Sequence, residues 1–165
     1  MTGYNGLMKK VYVETTVVSY FTARPSRDPA IAAHQRATRE LWPRLLTEFD
    51  TQISALVYQE ASRGDAQESE KRLKAIEPFD VLDISPEAQA LARAILDAKG
   101  IPEGHPDDAV HVAVAAVNGM DILVTWNFAH INNPFTRLMI RQIIENSGCR
   151  CPEICSPEEL LEALS

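Results

Sequence analysis

A chain of 165 residues that is 45% hydrophobic has enough apolar material for one substantial core, so a single domain is the expected count. Its formal net charge of −7, from 23 acidic against 16 basic residues, excludes a protein that grips nucleic acid by bulk positive charge. The longest apolar stretch, Ala109 to Val117, is interrupted by His111 and falls short of the ~18 uncharged residues of a membrane span, so no such span is expected.

Residues 1–8 hold no apolar block long enough for a signal peptide and read as a disordered N-terminal extension. A single domain over 9–165, working in the cytoplasm, is expected after it. Lys10 to Val13 is apolar and β-branched, the pattern of a buried strand. Glu14 cannot stay unpaired inside such a strand, so it stands at the strand end, solvated, paired or bound to metal. The hydroxyls of Thr15 and Thr16 then cap a following helix or orient a metal-bound water. Asp28-Pro29 supplies an N-cap and a proline at the first helical position, opening a helix toward Phe49 with a kink or break at Pro43. Arg24, Arg27, Arg36, Arg39 and Arg44 outnumber Asp28 and Glu40 in this region. That excess is either the solvated face of a helix or a lip that meets a phosphate backbone or an acidic peptide.

Thr51 to Ser54 reads as a second strand, and Ala55 to Arg63 as a helix closed by Gly64, which places Glu60 in its second turn. Ala66 to Glu77 is a charged, exposed helix, and Phe79 to Ile84 is strand-like. Ser85-Pro86 opens a helix whose stripe is Ala88, Leu91, Ala92, Ile95 and Leu96, ended by Gly100. Asp107 to Asn118 is apolar on nearly all sides and should be a buried helix. Acids suit a helix N-terminus; Asp107 is assigned the N-cap, and Asp108 then presents its carboxylate from a rigid element. His111, three residues on, shares that side of the helix as a hydrogen-bonded core residue or a partner to the site. Ile122 to Thr125 is a strand leading through Trp126, read as core packing, to Asn127. The Asn127 amide either ends the strand by bonding its own backbone or offers a neutral oxygen to a hard cation. Phe135 to Asn146 is a helix, and Ser156-Pro157-Glu158-Glu159 is a capping box opening the last one. Cys149, Cys151 and Cys155, odd in number, read as free thiols; zinc would need a histidine or a second subunit.

Strands separated by helices imply parallel pairing and an α/β fold, a three-layer sandwich with a central, mainly parallel sheet. In such a sheet the carboxyl ends of the strands share one edge, where ligands bind. Glu14, Glu60, Asp108 and Asn127 all fall at or near such ends, and acids gathered there make a hard-metal site.

Together these motifs resemble the PIN domain, the nuclease fold of the VapC-like toxins of toxin–antitoxin pairs. The resemblance rests on the strand and acid Val11-Tyr12-Val13-Glu14-Thr15-Thr16, the helix glutamate Glu60, the run Asp108-Ala109-Val110-His111-Val112-Ala113 and the late stretch Thr125-Trp126-Asn127-Phe128-Ala129-His130-Ile131. It spans about Lys9 to Asn133. It implies a Mg²⁺- or Mn²⁺-dependent endoribonuclease that hydrolyses RNA phosphodiesters. Glu14 and Asp108 would bind the ion directly, Glu60 would ligate through water or orient the attacking water, and Asn127 would complete the shell. Thr15, Asp107, His111 and Thr125 would support them. A homodimer and an inhibiting antitoxin are implied as partners. Two positions depart from the family's usual aspartates: Glu14 is one methylene longer, and Asn127 carries no charge. A degenerate PIN module that binds RNA or a protein without turnover is the alternative. A haloacid-dehalogenase-type phosphotransferase needs an Asp-x-Asp pair after its first strand, which Glu14-Thr15-Thr16 lacks.

Overall fold

In the computed structural model, which describes residues 8–165, the buried strand β1 (Lys10–Val13) lies at the centre of the sheet. The expected N-terminal extension, apart from Met8, lies outside the described residues. Helices α1 (Thr15–Thr22) and α2 (Pro29–Thr47) lead to β2 (Asp50–Ser54), and α3 (Ala55–Ala61) and α4 (Ala66–Ile76) lead to β3 (Asp80–Leu82). Then come α5 (Pro86–Asp97), α6 (Pro106–Val117), β4 (Ile122–Val124), α7 (Pro134–Asn146), β5 (Glu153–Cys155) and α8 (Pro157–Leu164). Every strand pair is parallel, in the order β3-β2-β1-β4-β5. Val11 stands beside both Thr51 and Ile122, and Val13 beside Val124. From β1 the chain first builds outward through β2 and β3, then returns to the other side of β1 to add β4 and β5. Right-handed crossovers in opposite directions put the two sets of helices on opposite faces. Accordingly α2 packs against α1 and α8, while α5 packs against α6 and α7.

Burial explains why the strands lie where they do. Val11, Tyr12, Val13, Ile53, Leu123 and Val124 are all fully buried, as parallel strands covered on both faces must be. Helix α6 is interior from Val112 to Ala116, in line with its apolar sequence. All five residues of the expected stripe on α5 are buried. Gly100, after α5, lets that chain meet α7 closely: a Cβ there would lie 2.9 Å from Ile143 Cδ1. The capping box forms as expected, Ser156 and Glu159 each accepting the other's backbone N–H.

Two local expectations need correction, and one strand has no counterpart in the sequence reading. Helix α2 continues through Pro43 rather than breaking there. The proline is on the exposed side, where solvent reaches the carbonyl it frees, while Leu41, Trp42 and Leu45 anchor the helix. Trp42 stacks on Phe21 with ring centroids 4.0 Å apart. Asp107 is not the N-cap of α6: Pro106 takes the first helical position, so His105 holds the cap without a side-chain cap bond. Asp107 instead sits in the first turn, half exposed, 4.0 Å from Arg63. Strand β5 carries no alternating or β-branched pattern that marks it in the sequence; parallel pairing of Ile122, Leu123 and Val124 with Glu153, Ile154 and Cys155 creates it. The three cysteines are free, and burial raises the thiol of Cys151 to about 11 and that of Cys155 to about 12.

Candidate metal centre

The chain reverses its direction of sheet building between β1 and β4, and in open α/β sheets the crevice beyond that point is where ligands bind. Glu14 and Thr125 are the residues that leave those two strands. The Glu14 N–H donates to Val124 O at 3.1 Å, prolonging the ladder by one bond. Its side chain, only 3% exposed, cannot be left there as an unassisted charge. Its Oε1 accepts from the hydroxyls of Thr16 at 2.5 Å and Thr125 at 2.6 Å.

Glu60 approaches from the second turn of α3. Its Oε1 accepts from the Thr15 hydroxyl at 2.5 Å and from His111 Nε2 at 2.7 Å. An ionised carboxylate only accepts, so Nε2 carries the proton. His111, 1% exposed, continues inward through Nδ1 to the Tyr12 hydroxyl at 2.7 Å, and that hydroxyl meets Ser54 Oγ at 2.8 Å. A hydrogen-bonded line thus runs from the core strand β1 to the carboxylate of Glu60. Burial pushes the Glu60 carboxyl up, but the bond and charge of His111, the Thr15 hydroxyl and the charge of Arg63 outweigh it and hold the group below its ordinary range. Burial likewise pushes His111 down, and its bond to Glu60 with the charges of Glu14, Glu60 and Asp108 raises it on balance. Burial raises the Tyr12 hydroxyl far beyond physiological titration.

Asp108, in the first turn of α6 and 18% exposed, reaches the same place from a third element. Glu14, Glu60, Asp108 and Asn127 line one cleft of about 480 Å³, together with Thr15 and Thr16. The other sequence-predicted residues lie around it: Thr125 behind Glu14, His111 behind Glu60, and Asp107 outside the lining. Asn127 folds its amide back on the chain. Its Oδ1 accepts the His130 N–H at 3.0 Å, and its own N–H donates to Thr125 Oγ1 at 2.9 Å. Of the two alternatives read from the sequence, the backbone-bonded one is seen here, and the residue also lines the cleft.

The sequence reading passed over Arg63, Ser19 and Tyr20, which also line the cleft. Arg63 lies three positions beyond Glu60 and Ser19 three beyond Thr16, so helical spacing was the available signal. For Tyr20 a single aromatic in a helix gives no such clue.

The donors fit a hard divalent cation. In both glutamates the protein engages Oε1, and among the described residues no hydrogen bond or ion pair reaches either Oε2. Each carboxylate is thus oriented by one oxygen and keeps the other to ligate. Oxygen donors of this kind suit Mg²⁺ or Mn²⁺.

Comparison with known proteins agrees with this architecture. No curated protein matches the chain. Among solved structures, the crystal structure of VapBC2 from Rickettsia felis bound to a DNA fragment from their promoter is similar in fold. It is 16% identical with a TM-score of 0.55, over 89% of this chain and 98% of that one. The family model of the PIN domain matches residues 11–131, from the middle of β1 to the loop beyond Asn127, and so takes in every carboxylate of the cleft. The chain belongs to the PIN domain family.

Proposed function

We propose that this protein is a metal-dependent endoribonuclease of the VapC kind, the toxin of a type II toxin–antitoxin pair acting in the cytoplasm. The observation that carries the reading is the convergence of Glu14, Glu60 and Asp108, 94 positions apart at the extremes, on one cleft at the sheet's reversal point. Glu14 and Asp108, with Glu60 beside them, would hold a divalent cation there, which would supply charge neutralisation and Lewis acidity for phosphodiester hydrolysis. The chain's own groups do the rest. Thr16 and Thr125 fix one oxygen of Glu14; Thr15 and His111 fix one oxygen of Glu60, which stays ionised and orients the attacking water. Arg63, exposed on the rim, meets the phosphate backbone and offsets part of the acidic field that would otherwise repel RNA.

The solved neighbour is a VapBC complex, which supports an antitoxin as partner here, with a basic side chain reaching the acids; a homodimer is part of the same reading. Cleavage of a labelled RNA, with and without Mn²⁺, by the wild type and Asp108→Asn tests the enzyme. Cleavage that needs Mn²⁺ and is lost in the variant is expected; metal-independent cleavage that survives the substitution would falsify the proposal. The alternative, a binding module without turnover, is favoured by Asn127, whose neutral amide oxygen already accepts a backbone bond. That reading predicts RNA retention with no cleavage at any Mn²⁺ concentration.

A further inference from the structure

Asp108 also belongs to a second group of possible ligands, of different chemistry, whose two histidines are not among the residues lining the cleft. His105, Asp108 and His130 each place one ligand atom within 4.8 Å of the others. We propose that these three residues bind a divalent transition ion, with Zn²⁺ as the best fit, at a site separate from the oxygen-lined cleft and sharing only Asp108 with it.

The geometry is close to what a metal requires. Zinc bonds of about 2.0–2.1 Å to nitrogen and oxygen place tetrahedral ligand atoms about 3.3–3.4 Å apart. His130 Nδ1 is 3.2 Å from Asp108 Oδ2, already at that spacing. His105 Nδ1 is 3.9 Å from the same oxygen, so its ring has to close by a little over half an ångström. That side chain is 46% exposed and has room to turn. Without an ion the same contacts are ion pairs of the two imidazoles with Asp108, so a metal would take the place of protons that these three groups otherwise share. The two imidazole rings lie with centroids 3.7 Å apart, inclined at 30°.

The backbone holding these ligands is built in. Asp108 lies on the first turn of α6 and His105 three residues before it at the N-cap, on the same side of the helix. His130 comes from the loop after β4, where its N–H is held by Asn127 Oδ1 and the loop is closed by Asn132 Nδ2 donating to Thr125 O. Asn127 thereby acquires a second task, positioning His130. Two imidazoles and one carboxylate leave positions open to water and select Zn²⁺, Co²⁺ or Ni²⁺ over Mg²⁺, whereas the oxygen-lined cleft has the reverse preference. The site does not depend on the nuclease proposal, because ion binding stands whether or not RNA is cut.

The chain has four histidines, so the imidazole nitrogens can be followed individually by NMR on protein freed of any affinity tag. Addition of one equivalent of Zn²⁺ should move the Nδ1 resonances of His105 and His130 and leave His34 in place. Mg²⁺ in large excess should not reproduce those shifts. By calorimetry, His105→Ala and His130→Ala should each lower Zn²⁺ affinity by more than the about 10–100-fold that loss of a supporting partner costs. Glu14→Gln should leave it within a few-fold, with circular dichroism showing that all variants are folded. Zn²⁺ binding unchanged in both histidine variants, absent from the wild type, abolished by Glu14→Gln, or accompanied by the same shifts with Mg²⁺ would each overturn the assignment. Loss of RNA cleavage in every form would bear on the nuclease proposal alone.

Discussion

Removing one oxygen atom, by Tyr12→Phe, tests the buried line that supports Glu60. The ring stays and keeps its packing in β1, so the change isolates the hydroxyl. That hydroxyl is fully buried between His111 Nδ1 and Ser54 Oγ. Without it, Nδ1 of His111 has no partner in a site 1% exposed, which costs about 1–3 kcal/mol. Ser54 loses less, because its Oγ still accepts the Val57 N–H at 3.3 Å as the cap of α3. The sum is about 2–4 kcal/mol of folding stability. At about 2–4 °C per kcal/mol for a chain of this size, the midpoint should fall by about 4–16 °C. Urea unfolding of metal-free protein measures it, with Tyr58→Phe as control because that ring is 50% exposed and lies off the line. The double variant Tyr12→Phe, Ser54→Ala should lose less than the two single losses added, since the two groups share one bond. A Tyr12→Phe protein within about 0.5 kcal/mol of the wild type, the scatter of neutral surface substitutions, would refute the reasoning.

The pairing of Glu60 with His111 predicts a pH window for metal-free protein. His111 is raised above the ordinary 6.5, so its contribution is full below that value and is lost as pH rises through the folded-state value. Glu60 is lowered from 4.5, so its contribution is full above that value and is lost as pH falls through the folded-state value. Stability from the pair should therefore peak between the two ordinary values, and His111→Gln should flatten the alkaline side; parallel melting profiles for the two proteins would contradict this. Asp28→Ala removes the acceptor of the Ala30 and Ile31 N–H groups at the start of α2 and should cost about 1 kcal/mol in urea unfolding, against no change if solvent replaces the cap fully. Gly100→Ala should cost about 1–3 kcal/mol because its Cβ meets Ile143 Cδ1, and Ile143→Val in the same chain should recover part of that. If the pair simply adds, the contact is not the cause.

The elements legible in the sequence are those with a local physical cause. Proline and cap residues mark the starts of α2, α5 and α8, and the apolar run of α6 gives its burial. Glu14, Glu60 and Asp108 stood out because each acid lies next to an element too apolar to hold it unpaired. What stayed hidden depends on distant partners. Strand β5 exists through pairing with β4, and Asp107 lost the cap because Pro106 is the first helical residue, which moves the cap upstream to His105. The roles of Thr16 and Tyr12 follow from contacts to residues up to 110 positions away, as when the Trp126 N–H donates to Thr16 Oγ1. His105 and His130, 25 positions apart, had no shared periodicity to connect them.

Anomalous scattering from crystals soaked in Mn²⁺ tests most directly whether one cation is held jointly by the three acids. A peak at coordinating distance from the Glu14 and Asp108 carboxylates, with Glu60 reaching it directly or through one water, is the predicted result. At saturating Mn²⁺, a map with density elsewhere on the protein but none between these carboxylates would contradict it.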